Sequence, residues 1–167
     1  MRDFVTCLWF DDNAREAAEF YVSVFPDGKI HGSTNYGADT PGVAGSLMTI
    51  DFEVNGHRFT GLNGGPQFPF TEAISFEIYC EDQAEINQMW DALTADGGQP
   101  SECGWLKDKF GVSWQVVPAD YMDKMAAGGD EAARERLMQA VLATSKRPFD
   151  LAELQAAFEG DAVDGSA

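Results

Sequence analysis

The sequence predicts an α+β fold in which two βαβββ modules form one curved, cup-like sheet, with further helices at the C-terminus. An apolar strand-like run, an acidic pair and an amphipathic helix occur twice, beginning near residues 4 and 73. This offset of roughly 70 residues indicates a duplicated unit. Alternating segments on both sides of Asn55-Gly56 add a β-hairpin to the first module, and helical periodicity follows Pro118. Each module alone would leave one sheet face uncovered, so we expect the two sheets to pair.

The first module begins with a strand and a helix. Residues 4–10 form a short, almost wholly apolar run, which is typical of a buried strand. The Asp-Asp-Asn sequence at 11–13 supplies helix-capping side chains and early negative charge. Apolar residues then recur at helical spacing over 14–25, and the Pro-Asp-Gly sequence at 26–28 ends this helix. Residues 29–36 are predicted to form the next strand.

The Asn55-Gly56 dipeptide predicts a tight hairpin between residues 46–54 and 57–63, because both central positions of such a turn need positive φ. The turn also predicts the register of the two strands. The expected partners are Val54 and His57, Phe52 and Phe59, Ile50 and Gly61, and Met48 and Asn63. These residues form a mostly apolar face, and the opposite face is polar.

The second module repeats the strand and the helix. Residues 73–80 alternate, which places Ile74, Phe76 and Ile78 on one side of the predicted strand. Glu81-Asp82 repeats the acidic cap. The helix that follows has an apolar stripe of Ile86, Met89, Trp90 and Leu93.

A second hairpin, over residues 104–117, closes this module around an Asp-Lys-Phe-Gly turn. Its second strand alternates, with Val112, Trp114 and Val116 on an apolar face. Ser113 and Gln115 therefore point to the opposite face, which we expect to be the inner surface of the cup.

Three further helices are predicted after Pro118. Asp130 and Asp150 are candidate caps for the second and third of these helices. The second helix is expected to turn Ala133, Leu137, Val141 and Leu142 inward. The expected organisation is paired modules over 1–118 (about 1–68 and 69–118), a helical extension over 119–159 and a disordered tail over 160–167. The extension is expected to pack either on the sheet or on a second subunit.

The composition excludes several classes of partner. The formal net charge of −17 argues against nucleic acid and anionic membrane surfaces. No apolar run is long enough to span a bilayer, and no signal peptide follows Met1. The three cysteines form no CxxC pair, so neither a disulfide framework nor a zinc site is indicated. Cys7 and Cys80 lie in apolar runs typical of core residues, and we expect a cytoplasmic protein.

Several of these segments resemble a known family. They are CLWFD at 7–11, EFY at 19–21 with FP at 25–26, LNGGP at 62–66, ISF at 74–76 and DKFGVSWQ at 108–115. Together they resemble the PhnB-like branch of the vicinal oxygen chelate superfamily, which includes glyoxalase I, bleomycin-resistance proteins and extradiol dioxygenases. This branch carries the domain name 3-demethylubiquinone-9 3-methyltransferase. The resemblance covers residues 4–118 and implies paired βαβββ modules that form a cup, usually in a homodimer.

The resemblance also implies where a metal would be held in metal-dependent members. Those ligand positions fall near Val5, Asn63, Ser75 and Gln115. Val5 has no donor atom, Ser75 replaces a common histidine, and Gln115 replaces a glutamate. We therefore expect no catalytic metal. The domain name implies S-adenosylmethionine, but the chain has no glycine-rich turn of the kind that such a donor site uses, so we expect no cofactor.

The predicted inner surface provides the candidate ligand pocket, because apolar surroundings with a few polar groups are typical of small-molecule sites. Trp105 is a further aromatic candidate for stacking. Glu77 is the single carboxylate of the set, and partial burial would raise its pKa and suit it to act as a general base, unless it pairs with Lys107 or Arg58. His57 is expected to be an exposed neighbour of the turn, and His31 lacks a companion ligand. The residues placed on the inner surface by alternation are Cys7, Trp9, Asn63, Ser75, Glu77, Tyr79, Ser113 and Gln115.

Two functions are compatible with this set. The first is a metal-free protein that binds or sequesters a small aromatic or cationic molecule. The alternative is an isomerase-, lyase- or transferase-type enzyme that uses Glu77 as a base on a small metabolite. An interaction role for the helical extension is a third hypothesis, but capping a dimer is the simpler explanation for it.

Overall fold

The structure, a computed structural model, describes residues 4–160. The chain divides between Phe70 and Thr71 into two compact units. Each unit contains a four-stranded mixed sheet with one helix inserted after its first strand. The predicted α+β class and the βαβββ order of both modules are confirmed. The three predicted C-terminal helices are also present, and they belong to the second unit.

The first unit has the strand order β1-β4-β3-β2. Strand β1 runs parallel to β4, whereas the other two pairs are antiparallel. A parallel first pair is possible because the helix carries the chain across the sheet. The elements are β1 Thr6–Phe10, α1 Ala14–Val24, β2 Lys29–Asn35, β3 Leu47–Val54 and β4 His57–Asn63.

The β3–β4 hairpin has the predicted register. Val54 pairs with His57, Phe52 with Phe59 and Ile50 with Gly61. Asn55 and Gly56 have φ values of 48° and 71°, as the tight turn requires. The side chain of Asp27 holds this turn by accepting hydrogen bonds from the backbone N–H groups of Asn55 and Gly56.

The apolar face of this hairpin forms the core of the first unit together with α1. The ring of Phe52 stacks on that of Phe59, with 5.2 Å between centroids, and on that of Tyr21 from α1 at 5.8 Å. Ala14, Ala17 and Ala18 are buried completely, because α1 lies directly on the sheet. Small residues on the helix and aromatic residues on the strands therefore complement each other in volume.

The second unit repeats the arrangement with the strand order β5-β8-β7-β6, in which β5 runs parallel to β8. The first strand is shorter than predicted, since Ala73–Ser75 precede it and the side chain of Ile74 is 74% exposed. The prediction that Ile74 shares one side of this strand with Phe76 and Ile78 is wrong, because Ile74 lies outside the paired strand, where alternation has no consequence. The elements are β5 Phe76–Cys80, α2 Gln83–Thr94, β6 Gln99–Pro100, β7 Trp105–Lys107 and β8 Ser113–Pro118.

Helix α2 covers one face of the second sheet. All four residues of its predicted apolar stripe are buried. The carboxylate of Asp82 accepts a hydrogen bond from the Glu85 N–H, and the carboxylate of Glu85 accepts one from the Glu81 N–H. This reciprocal capping satisfies two N–H groups at the start of the helix.

The β7–β8 hairpin is organised around Asp108, whose side chain is 3% exposed. One carboxylate oxygen accepts hydrogen bonds from the N–H groups of Phe110 and Val112, at 2.9 and 3.0 Å. The other accepts a hydrogen bond from the indole Nε1 of Trp114 at 2.8 Å. The buried carboxylate therefore has a donor at both oxygens and holds the turn against the strand that follows it.

The C-terminal helices are α3 Ala119–Ala127, α4 Glu131–Ala143 and α5 Leu151–Glu159. Asp130 and Asp150 cap α4 and α5 as predicted. Leu137 and Val141 of α4 pack with Phe149 and Leu154 in a separate buried cluster. Leu142 is 64% exposed, so its predicted inward position is wrong, because one residue beyond Val141 turns the side chain about 100° around the helix.

Backbone hydrogen bonds join this helical segment to the rest of the second unit. The Cys103 N–H donates to the Thr144 carbonyl at 2.8 Å, and the Lys146 N–H donates to the Ser101 carbonyl at 2.9 Å. The extension was expected to pack either on the sheet or on a second subunit, and the structure shows contacts between the extension and the rest of its own unit. Of the predicted tail, Gly160 ends α5 in a left-handed conformation, and residues 161–167 lie outside the described residues. No helix in 4–160 has both the length and the apolar character of a membrane span.

We predict that Asp108→Asn lowers the free energy of unfolding by about 2 to 4 kcal/mol, because an amide cannot accept at both positions that now face donors. Urea unfolding measures the change. Asp91→Asn is the matched control, since Asp91 is exposed on α2. Equal stabilities of the two variants would contradict the organising role of the buried carboxylate.

Candidate functional site

One face of the second sheet lies opposite α2 and carries polar and aromatic side chains. We call it the polar face. Cross-strand register places Glu77, Gln115 and Trp105 in one row and Ser113 and Lys107 in the next. Ser75 immediately precedes β5 and is hydrogen-bonded into this set. Alternation in the sequence therefore correctly placed Glu77, Tyr79, Ser113 and Gln115 on one face, and a hydrogen bond from Gln115 joins Ser75 to them.

A chain of hydrogen bonds runs across the polar face. The amide Nε2 of Gln115 donates to Ser75 Oγ at 2.8 Å and to one carboxylate oxygen of Glu77 at 3.3 Å. The hydroxyl of Tyr79 donates to the other oxygen of Glu77. Glu77 is therefore oriented by two donors, and neither Lys107 nor Arg58 is its partner among the described residues. Lys107 instead pairs with Glu72.

This chain also determines the acidity of Tyr79. The hydrogen bond to Glu77 is the main cause that raises the pKa of Tyr79 above its ordinary value, and desolvation and the negative charge of Glu77 add to it. The ring of Tyr79 is 48% exposed, so one aromatic surface remains accessible beside the carboxylate. The polar face therefore presents the hydrogen-bonded carboxylate of Glu77 next to the exposed ring of Tyr79.

A cavity of about 450 Å³ adjoins the polar face at the β6–β7 edge of the second unit. Its lining includes Trp105, Lys107 and Ser113, together with Glu72 and the segment 99–103. Sequence analysis named Trp105 and Ser113 but missed Lys107 as a lining residue, although Lys107 pairs with Ser113 in the hairpin and shares its face. The hairpin register was the signal that would have identified it.

In the first unit, Cys7 and Trp9 lie on the sheet face opposite α1. Cys7 is exposed rather than a core residue, whereas Cys80 is buried as expected. Trp9 is engaged by its own unit. Its Nε1 donates to the Gly65 carbonyl at 2.7 Å, and its ring contacts Phe68 edge to face at 5.0 Å. Trp9 therefore holds the loop that follows β4.

The predicted placement of Asn63 beside Cys7 and Trp9 is wrong. Asn63 pairs with the buried Phe10 and consequently lies on the helix side of the sheet. Its side-chain oxygen accepts a hydrogen bond from the Ala14 N–H at 2.8 Å, and its amide donates to the Leu47 carbonyl. Asn63, and not Asn13, supplies the side chain that satisfies the start of α1, since Asn13 makes no capping bond.

The two histidines have different surroundings. His57 is partly buried and not simply exposed beside the turn, because its Nε2 lies 2.9 Å from Thr6 Oγ1 and its ring contacts Phe59. His31 pairs with Glu53 on the first sheet. Both histidines are thus engaged by residues of the first unit.

The positions at which the resemblance implies metal ligands do not offer a set of free side-chain donors for a divalent ion. Val5 offers no donor atom, and both polar atoms of the Asn63 side chain are used in its own unit. In the second unit, Gln115 donates to Ser75 and Glu77 and so acts as a hydrogen-bond donor. Within residues 4–160, no three His, Cys, Asp or Glu side chains cluster closely enough to hold a metal ion.

The architecture agrees with the comparisons with known proteins. The family model for 3-demethylubiquinone-9 3-methyltransferase matches residues 2–117. The structure of a PhnB protein from Bacillus cereus is 33% identical, with a TM-score of 0.62 over 71% of this chain and 100% of its own. No protein of curated function is significantly similar in sequence.

Two more distant structures share the fold alone. Protein PA1353 from Pseudomonas aeruginosa is 23% identical, with a TM-score of 0.57 over 71% of this chain and 98% of its own. The fosfomycin resistance protein FosX from Mesorhizobium loti is 13% identical, with a TM-score of 0.52 over 75% and 98%. The two βαβββ units are thus those of the glyoxalase/bleomycin-resistance-like fold of the vicinal oxygen chelate superfamily. Within it, the chain belongs to the PhnB-like 3-demethylubiquinone-9 3-methyltransferase family.

We predict that Asn63→Ala lowers the free energy of unfolding by about 1 kcal/mol, because the Ala14 N–H at the start of α1 loses its side-chain acceptor. Asn13→Ala is the matched control and should change stability by a few tenths of a kcal/mol at most, since Asn13 makes no capping bond. Thermal unfolding of both variants measures the difference. A larger loss in Asn13→Ala would contradict this assignment.

We predict that Glu77→Gln lowers the pKa of Tyr79 towards its ordinary value of 10, because the charged acceptor of its hydroxyl proton is removed. The folded protein holds this proton more tightly than the unfolded chain. Its contribution to stability is therefore complete below pH 10 and is lost as the pH rises through the raised pKa. NMR titration of the tyrosine ring carbons measures the shift. Glu135→Gln, an exposed change in the same unit, should leave Tyr79 unaffected.

Proposed function

We propose that the protein binds a small aromatic or cationic molecule at the polar face of its second sheet, without a metal ion. The observation that carries this proposal is the hydrogen-bonded chain Ser75–Gln115–Glu77–Tyr79, with Trp105 in the same cross-strand row. Few polar groups beside aromatic surface are typical of small-molecule sites.

The charge and the exposed ring favour a cation. Glu77 offers a carboxylate that two donors hold in place, and the ring of Tyr79 is exposed beside it. Aromatic faces and carboxylates both attract alkylammonium groups. The net charge of −17 also raises the local concentration of cations around the protein. A ligand with a positive charge would therefore meet complementary groups without displacing any described ion pair of Glu77.

We also propose the wider setting of this function. The superfamily resemblance favours a homodimer. All three cysteines are free, and Cys7 is exposed, which suits a reducing compartment such as the cytoplasm. The family name refers to methyl transfer, but both sheets in residues 4–160 are four-stranded and mixed, without the glycine-rich turn of a doubly wound nucleotide site. The proposal therefore includes no methyl donor.

The contact between Tyr79 and Glu77 supports a second candidate, an enzyme in which Glu77 moves a proton of a small metabolite. A carboxylate that already accepts from a tyrosine hydroxyl forms an acid–base pair with it. Any compound that binds should then be tested for turnover. Loss of turnover with retained binding in Glu77→Gln would favour the enzyme, whereas binding without turnover in the native protein would favour sequestration.

We predict that choline binds more tightly than its neutral isostere 3,3-dimethylbutan-1-ol, by about 5- to 30-fold, because only choline interacts with the carboxylate and the aromatic face as a cation. Calorimetric or NMR titration measures both affinities. Glu77→Gln should remove the preference, whereas Glu135→Gln, with the same change in net charge, should retain it. Equal affinity of the two probes for the native protein would exclude cation recognition at this face.

A further inference from the structure

The hydroxyl of Ser113 is the unusual group in the cavity at the β6–β7 edge. Ser113 is 2% exposed and lines this cavity. Its Oγ has no hydrogen-bond partner. Among the buried side-chain nitrogen and oxygen atoms of residues 4–160, no other atom lacks one. Buried polar groups are almost always paired, so an orphaned hydroxyl beside an open volume indicates a partner that is not part of the chain.

The neighbouring polar groups do not satisfy Ser113, because they have other partners. Lys107 lies directly across the hairpin from Ser113, but its ammonium group pairs with Glu72. Gln115 lies two residues along the same strand and donates to Ser75 and Glu77. The described hydrogen bonds of the polar face are thus made within the chain, and the buried hydroxyl of Ser113 is left without a partner.

The remaining lining residues limit the chemistry of the partner. Trp105 and Pro100 supply apolar surface, and the indole of Trp105 is flat. Lys107 is neutralised by Glu72, which leaves the carboxylate of Glu102 as the uncompensated charge of the lining. An anionic ligand would be repelled by this carboxylate, whereas a neutral one would not. The volume of about 450 Å³ is in the range that small-molecule sites occupy.

We propose that this cavity binds a planar aromatic ligand through a neutral oxygen, a hydroxyl or a carbonyl, that hydrogen-bonds to Ser113 Oγ while the ring lies against Trp105. A serine hydroxyl both donates and accepts, so either oxygen satisfies it. This inference rests on the proposed binding function and deepens it, because it names the ligand class and the residue that selects it. It uses neither Glu77 nor Tyr79.

Three naphthalenes with one ring system and different substituents test this assignment. They are 2-naphthol, 2-methylnaphthalene and 2-naphthoate. We expect 2-naphthol to bind about 3- to 10-fold more tightly than 2-methylnaphthalene, the gain of one net hydrogen bond, and 2-naphthoate to bind most weakly. Two-dimensional NMR titration measures each affinity, and the signals of Ser113 and the Trp105 indole should shift.

Ser113→Ala tests the residue itself. In this variant 2-naphthol should bind no better than 2-methylnaphthalene, whose own affinity should not change. The free protein should be as stable as the native one or more stable, because the variant removes a buried hydroxyl that has no partner. Ser33→Ala, an exposed strand serine of the first unit, is the matched control and should leave all affinities unchanged.

Two results would overturn the inference while leaving small-molecule binding intact. One is equal affinity of native protein for 2-naphthol and 2-methylnaphthalene, which would mean that water alone satisfies Ser113. The other is tightest binding of 2-naphthoate. Failure of all three naphthalenes to bind would overturn this inference and the aromatic part of the proposed function together. The choline measurement tests the cationic part separately, because it depends on Glu77.

Discussion

The buried carboxylate of Asp108 is the interaction on which the second unit depends. It accepts two backbone N–H groups of its own turn and the indole N–H of Trp114. Trp114 is buried on the α2 side of the sheet. Once this side chain is held, the alternation of β8 places Ser113 and Gln115 on the polar face. A structural hydrogen-bond cluster on one side of the strand thus positions the candidate binding groups on the other.

The two units show that one sequence pattern can be completed by different contacts. Both have an acidic pair between the first strand and the helix. In the second unit this segment caps α2 through Asp82 and Glu85. In the first unit the start of α1 is bound by Asn63, which lies about 50 residues further along the chain, at the end of β4. This difference removes Asn63 from the candidate site and makes it part of the framework.

The chemistry of the polar face follows from a short hydrogen-bonded set of neutral side chains. A glutamine and a serine hydrogen-bond to each other, and the glutamine also orients Glu77. The neutral pair thus holds the carboxylate of Glu77, which in turn accepts from the hydroxyl of Tyr79. The unpaired hydroxyl of Ser113 is an exception within this satisfied set. Proteins break such local rules mainly at functional sites.

The sequence by itself determined the elements whose signals are local. Asn55-Gly56 gave both the hairpin and its register, since a two-residue turn leaves one pairing that keeps Phe52 and Phe59 on the core side. Strand alternation likewise placed Ser113, Gln115, Glu77 and Tyr79 on one face, and helical spacing identified the buried stripe of α2.

The tertiary structure decided the features that depend on partners distant in sequence. Neither the capping of α1 by Asn63 nor the engagement of Trp9 by Gly65 has a local signal, because each requires segments about 50 residues apart to meet. Ile74 is exposed because strand pairing begins only at Phe76, and Leu142 is exposed because it lies on the uncovered face of α4. The tertiary structure also determined that Ser113 lacks a partner. Lys107, directly across the hairpin, forms its ion pair with Glu72, and the sequence alone does not show which side chains are in contact.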